Sequence, residues 1–237
     1  MSLVQQYRSV FRPGLFAGRL IWVTGGGSGI GRCLAHELAA LGAQVLISGR
    51  SADKLEKVAA EIAEDGGRCA WRAFDIRDEE AVKANVAAVI AEHGAIAGLV
   101  NNAGGQFPGP MQMISKRGFD AVVANNLTGG FLMMREVFTQ SMQQQGGAIV
   151  NMTADFRNGM PGMAHSGAAR AGMSNLTMSA AFEWAHAGVR VNAVAPGWVA
   201  SSGMDSYGDA IKPMIRQLKK HVPLRRLAVE AEVSAAI

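Results

Sequence analysis

A chain of 237 residues is long enough to bury one large core, and 49% hydrophobic with 18% charged residues is the composition of a folded globular protein. The net charge of only +4, few aromatics and no recognisable base-reading motif argue against a nucleic-acid partner, and no run approaches the roughly 20 apolar residues of a membrane helix. Cys33 and Cys69 carry no metal-ligand pattern and suit a reducing compartment, and the first ten residues lack a signal peptide's apolar stretch, so a cytoplasmic protein without a metal is expected.

Arg12-Pro-Gly14 reads as a loop, which sets residues 1–18 apart as an N-terminal arm. The first predicted strand, 20–23, runs into Thr24-Gly-Gly-Gly-Ser-Gly-Ile-Gly31 and then a helical pattern over 32–41. Strand, glycine turn and helix in that order present free helix N–H groups and partial positive charge to a phosphate, whereas a bare glycine-rich loop would not. A second strand, 44–48, ends in Gly49-Arg50, and Ser51 stands as the cap of a helix over 54–64. A third strand, 69–74, is followed by Asp75-Ile76 and a helix over 79–92 that Gly94 stops. The fourth strand, 96–100, opens into Asn101-Asn-Ala-Gly-Gly105. A Phe107-Pro-Gly-Pro110 connector then precedes a long helical region over 118–144. A fifth strand at 148–152, a helix over 165–187 and a sixth strand at 189–195 ending in Pro196-Gly197 complete the pattern. Six alternations predict an α/β fold: a Rossmann-type doubly wound parallel sheet in a three-layer α/β/α single domain, 19–237.

In such sheets the ligand lies beyond the carboxyl ends of the strands, and four features fall there. Thr24, Gly25, Ser28, Gly29, Ile30 and Gly31 form the phosphate turn. Arg50 stands where a site for NAD puts a carboxylate; its fork suits a 2′-phosphate, so NADP(H) is preferred over NAD(H), the competing reading being a solvated arginine. Asp75 and Ile76 are placed to frame an adenine. Asn102, Ala103 and Gly104 are small or amide residues that let a cofactor pass while offering hydrogen bonds.

These residues resemble the short-chain dehydrogenase/reductase family: Thr24-Gly-x-x-x-Gly-x-Gly31, Asp75, Asn101-Asn-Ala-Gly104, Asn126-Leu127 and Pro196-Gly197 match its motifs in order over nearly the whole chain. The resemblance implies hydride transfer from a nicotinamide cofactor to or from a small-molecule substrate, a cofactor role for Pro196 and Gly197, and a homodimer or homotetramer. Members of the family continue into a further strand and tail, so a C-terminal end shorter than the family's is expected at Ile237.

The catalytic stretch departs from the family pattern of Ser followed by Tyr-x-x-x-Lys. The serine position falls on Thr153 or Ala154, and alignment by Leu176-Thr177 puts Ser166 at the tyrosine position and Arg170 at the lysine position. The two tyrosines of the chain, Tyr7 and Tyr207, lie elsewhere. An isolated serine is a poor acid, and arginine stays charged, so it holds ribose and negative charge without shuttling protons. The run His165-Ser-Gly-Ala-Ala-Arg-Ala-Gly172 is similar to the peroxisomal trans-2-enoyl-CoA reductase branch and its bacterial relatives, as are Asn101-Asn-x-Gly-Gly-Gln-Phe107 and Glu183-Trp184. The tyrosine proposed as acid in that branch falls at Ser174 here.

That resemblance implies reduction of an α,β-unsaturated acyl thioester, an acyl-CoA, in which charge develops on the thioester oxygen and donors aimed at it matter more than a strong acid. In this reading Ser166 hydrogen-bonds that oxygen, Arg170 holds the nicotinamide ribose, Asn126 fixes a backbone bend or water, and His165 supplies a proton. Against it stand Ser166 as a plain helix cap, His165 as a packing residue, and Tyr207 as a reserve donor. An alcohol or ketone oxidoreductase with a rearranged proton donor, and a non-catalytic NADP-binding protein, remain as alternatives.

Overall fold

The computed structural model describes residues 12–201 and 217–237. Tyr7 and Tyr207 therefore lie outside the described residues. Six strands form one parallel sheet: β1 (Leu20–Thr24), β2 (Gln44–Gly49), β3 (Arg68–Ala73), β4 (Ile96–Asn101), β5 (Gly147–Met152) and β6 (Val189–Val194), in the order β3-β2-β1-β4-β5-β6. The order reverses between β1 and β4, which opens a crevice at their carboxyl ends.

Neighbouring residues of the central strands point to opposite faces, and both faces are buried. Trp22 and Leu46 enter one core with Val82, Val86, Leu99 and Met133, while Val23 and Ile47 enter the other with Leu34, Leu38, Leu55 and Val58. This is why the strands read as continuous apolar runs rather than alternating ones. Leu46 and Ile47 are fully buried and each contributes on the order of 2 kcal/mol. Trp22 satisfies its indole N–H by donating to Ser48 Oγ at 2.9 Å.

Helices α1 (Gly29–Ala40) and α2 (Ala52–Glu64) cover the second core, and α3 (Glu79–His93) with α5 (Gly129–Val137) and α7 (Ala164–Glu183) covers the first. Asp78 caps α3 by accepting from the Ala81 N–H at 3.0 Å, and Gly94 ends it at φ 85°. Ser51 occupies the cap position of α2, but its side chain makes no capping bond. The long helical region starts earlier than expected, as α4 (Lys116–Val123), where Ser115 Oγ accepts from the Gly118 N–H at 3.1 Å. It is not a uniform helix: π-helical segments at Ala124–Thr128 and Phe138–Met142 flank α5, and α6 (Gln143–Gln145) closes the run. At the other end, α7 stops at Glu183 and a 3₁₀ turn, Ala185–Ala187, finishes the predicted span. A second small sheet pairs β7 (Val199–Ala200) with β8 (Ala228–Val229), and α8 (Glu230–Ser234) follows. Within the arm, Phe16 packs on the second core and its N–H donates to the Leu41 carbonyl at 3.0 Å. No helix among the described residues is long and apolar enough to cross a membrane.

Candidate functional site

Two cavities lie along the carboxyl ends of the strands and share Gly104 as a wall. One, of about 490 Å³, is lined by Gly25, Ser28, Arg50, Lys54, Asp75, Ile76 and Ala103. The other, of about 370 Å³, is lined by Ile30, Asn102, Gln106, Thr153, Arg170, Pro196, Gly197 and Trp198.

The glycine turn is built for close approach. Gly25 sits at φ 69°, and a Cβ at Gly31 would fall on the Gly25 carbonyl and 2.5 Å from the Asn102 amide nitrogen. No acidic residue stands in the first turn of α1, so its N–H groups and positive end face the cavity without a competing carboxylate. A pyrophosphate fits this cradle.

Thr24 does not line either cavity. It is fully buried, accepts from the Asn102 and Ala103 N–H groups at 3.0 Å each, and donates to the Val100 carbonyl at 3.3 Å. It ties β1 to the loop after β4 instead of reaching a ligand. Asn102 does line the groove, yet its amide donates to the carbonyls of Thr24 at 3.0 Å and Gly25 at 3.3 Å, so it braces the turn. Gly29 and Gly31 shape the turn without lining a cavity among the described walls.

At the larger cavity, Asp75 is engaged by Arg77, whose Nε donates to its two oxygens at 2.9 and 3.0 Å. This bond from Arg77 holds the Asp75 carboxyl below the usual range, with the field of Arg50 as a lesser cause. Arg50 is exposed and lines the cavity beside Ser51 and Lys54. The cavity therefore presents two cations, and its one lining carboxylate is already paired.

At the smaller cavity the dominant group is Arg170. Burial pushes its guanidinium down to about 10, and its Nη1 donates to the Met152 carbonyl at 2.6 Å. No carboxylate lies among the residues lining that cavity, so the cation there is not neutralised.

Asn126 sits in the first π segment, where the helix ladder is interrupted. Its amide donates to the carbonyls of Gly105 at 2.6 Å and Val122 at 2.8 Å, and its Oδ1 accepts from the Gly105 N–H at 3.2 Å. Asn126 thus clamps the loop after β4.

Ser166 and His165 are not brought to the cavity surface. Both are fully buried. Ser166 Oγ donates to Gln106 Oε1 at 2.5 Å, which consumes the hydroxyl proton expected for a substrate oxygen. His165 Nδ1 accepts from the Ser166 N–H at 2.9 Å, its ring stands edge-on to Phe107 with centroids 4.5 Å apart, and its Nε2 has no hydrogen-bond partner among the described residues. That seat lies within the first turn of α7, and His165 is not among the residues lining the cavity. Thr153, at the family's serine position, spends its hydroxyl on the Val194 carbonyl at 3.1 Å.

Sequence reasoning passed over Gln106 as an active group. Its signal is position, two residues past Gly104 in the loop after β4, but its contact with Ser166 spans sixty residues and no local pattern encodes it. Lys54 and Trp198 were passed over likewise, Lys54 because it reads as one charge of an amphipathic helix.

The sequence model of short chain dehydrogenases matches residues 19–211. A citronellol catabolism dehydrogenase, AtuB, of Pseudomonas aeruginosa PAO1 is 61% identical, with 97% of this chain and 90% of that one covered and a TM-score of 0.85. A probable 2,4-dienoyl-CoA reductase of Bacillus subtilis (strain 168) is 34% identical over 221 residues, 92% of this chain and 87% of that protein. An actinorhodin polyketide ketoreductase, solved with NADPH, is 29% identical over 92% of this chain and 88% of its own, with a TM-score of 0.84. The match to the family and the high identity to its members agree: the chain belongs to the short-chain dehydrogenase/reductase family, oxidoreductases that bind a nicotinamide cofactor and act on small molecules.

Proposed function

We propose that the protein is an NADP(H)-dependent reductase of an α,β-unsaturated acyl thioester, an acyl-CoA ester. The observation that carries this reading is the polar wall of the smaller cavity: a half-buried cation, Arg170, and an amide, Gln106, whose carbonyl is already held by Ser166. With Oε1 turned to Ser166, the amide N–H₂ of Gln106 is left to donate to a carbonyl oxygen in the cavity. This arrangement favours negative charge developing on an oxygen and offers no strong acid among the described residues of that wall.

A nicotinamide held in this groove would supply the hydride that reduces Cβ of the enoyl group. The residues do the rest. Gln106 donates to the thioester oxygen as electron density moves onto it, and Arg170 lowers the energy of that enolate while holding the ribose side of the cofactor. Asn126 holds the loop that carries Gln106, and Ser166 fixes the amide's orientation. The Cα proton comes from water, completing a saturated thioester. At the adenosine end, Arg50 and Lys54 receive the 2′-phosphate; the NADPH of the related ketoreductase is in keeping with this.

The assembly is a homodimer or homotetramer using the outer face of α7. From Ala164 to Phe182 the only cation or carboxylate on that helix is the half-buried Arg170, while Met178 is 64% and Phe182 88% exposed. A long helix face without charge is one that a partner covers.

A ketone or alcohol oxidoreductase is the second reading, favoured by the high identity to a protein named as a dehydrogenase. NADPH absorbance followed with the pure protein, against 2-enoyl-CoA esters and a panel of ketones, separates the two. Turnover of enoyl thioesters supports the first; turnover of ketones alone refutes it.

A further inference from the structure

A third cavity, of about 340 Å³, lies on the far side of segment 196–199 from the Arg170 cavity, and Pro196, Gly197, Trp198 and Val199 line both. Its character is different. Val194, Val222, Leu224, Val233 and Ala236 make an apolar lining, and its two charged residues, Arg226 and Glu232, are paired with each other at 2.6 Å. Its size is that of a small-molecule site, and it holds no unsatisfied charge that calls for a polar occupant. The partition is anchored from behind, since the Ala228 N–H donates to the Trp198 carbonyl at 2.9 Å and Val199 pairs with Ala228 in the small sheet. The backbone of the wall is thus held, and Trp198, 36% exposed, is the largest side chain among the four residues that line both cavities.

We infer that Trp198 is the residue that sets the length of the substrate's apolar tail, by closing the reaction cavity off from the apolar cavity behind it. The occupant of the far cavity, once opened, is the distal end of an aliphatic tail whose reacting carbons lie beside Arg170. Continuity across one side chain and the absence of unpaired charge point to that occupant. The inference rests on the reacting group lying in the Arg170 cavity, as proposed above, but not on whether that group is an enoyl thioester or a ketone.

The test is Trp198→Ala, with Trp198→Phe as a conservative control, assayed with NADPH on two homologous series of increasing tail length, 2-enoyl-CoA esters and 2-alkanones. Wild type should lose kcat/KM beyond a limiting length. Trp198→Ala should instead gain roughly fourfold per methylene past that limit, until the far cavity is filled, while Trp198→Phe moves the limit only slightly. Adding Leu224→Glu puts a charge in the far cavity and should abolish the gain. Calorimetric binding of saturated acyl-CoA esters of the same lengths to the NADP⁺-loaded proteins reads the same dependence without turnover. Identical tail dependence in wild type and Trp198→Ala, with cofactor affinity intact, overturns the inference. Failure of the enoyl series with a tail shift on ketones would instead overturn only the thioester reading.

Discussion

Ser166 gives its hydroxyl proton to the side-chain carbonyl of Gln106 at 2.5 Å, across sixty residues of sequence. The hydroxyl of a fully buried residue is thereby engaged by the loop after β4.

If Gln106 carries the thioester oxygen and Ser166 acts only through it, the two substitutions must not add. Gln106→Ala should lower kcat by about 100- to 1,000-fold, the usual cost of one oxyanion donor. Ser166→Ala should cost about tenfold alone and almost nothing in the Gln106→Ala background, because the interaction it supports is gone. Steady-state kinetics on the four proteins measures this. Additive losses would place Ser166 in direct contact with substrate.

Gly104 lines both cavities at the carboxyl ends of the strands. A Cβ there would stand 2.6 Å from Arg170 Nη2 and 2.7 Å from Asn126 Oδ1, closer than real contacts allow. Gly104→Ala should therefore push Arg170 off the Met152 carbonyl and loosen the Asn126 clamp. We expect roughly 10- to 100-fold weaker NADPH binding, from an overpacking cost of about 1–3 kcal/mol. Unaltered affinity by fluorescence titration would show that neither group shapes the cofactor site.

At the other end of the groove the question is the 2′-phosphate. Asp75 is held by Arg77, so replacing Arg50 with a carboxylate creates the first unpaired acid in that cavity. Arg50→Asp should shift the NADPH-to-NADH preference toward NADH by on the order of 10- to 100-fold, the range of a lost charge-assisted hydrogen bond. Dissociation constants for both cofactors decide it, and an unchanged ratio refutes the NADP(H) preference.

Phe182 tests the assembly. At 88% exposure its replacement costs the folded chain little, under about 0.5 kcal/mol. Phe182→Lys should leave the melting temperature of the dilute chain nearly unchanged while lowering the mass seen by analytical ultracentrifugation. An unchanged mass would move the interface off α7.

The order of strands, the glycine turn and the groove at β1 and β4 were legible because each is written in consecutive residues: apolar runs of strand length and punctuation by glycine. The two π segments were not, since Ala124–Thr128 has helical periodicity and the bonds between Asn126 and Gly105 that accompany it are tertiary. Placement was legible where backbone position decides it: Arg170, Pro196 and Gly197 all line the groove. Where a hydroxyl's partner decides the placement, the sequence has no local signal for it. Ser166 and Thr24 both carry hydroxyls at expected positions, and tertiary contacts have claimed both.

The charge on Arg170 gives a pH dependence of defined sign. Burial lowers its guanidinium to about 10, below an arginine's ordinary value. The folded chain therefore releases this proton at lower pH than the unfolded chain, and stability should rise with pH through the window above about 10, where the unfolded chain binds more protons. Below that window the burial cost is borne in full. Catalysis runs the other way, because the enolate needs the cation. In pH-jump assays on the wild-type enzyme kcat/KM should be level on the alkaline side up to about 10 and fall tenfold per pH unit beyond it. Arg170→Gln should be slow and show no such fall, and in chemical denaturation its stability difference from wild type should change with pH only above about 10. A wild-type profile level to pH 11, with Arg170→Gln equally level, would mean that the buried guanidinium is a structural strut and that the negative charge of the reaction is met elsewhere.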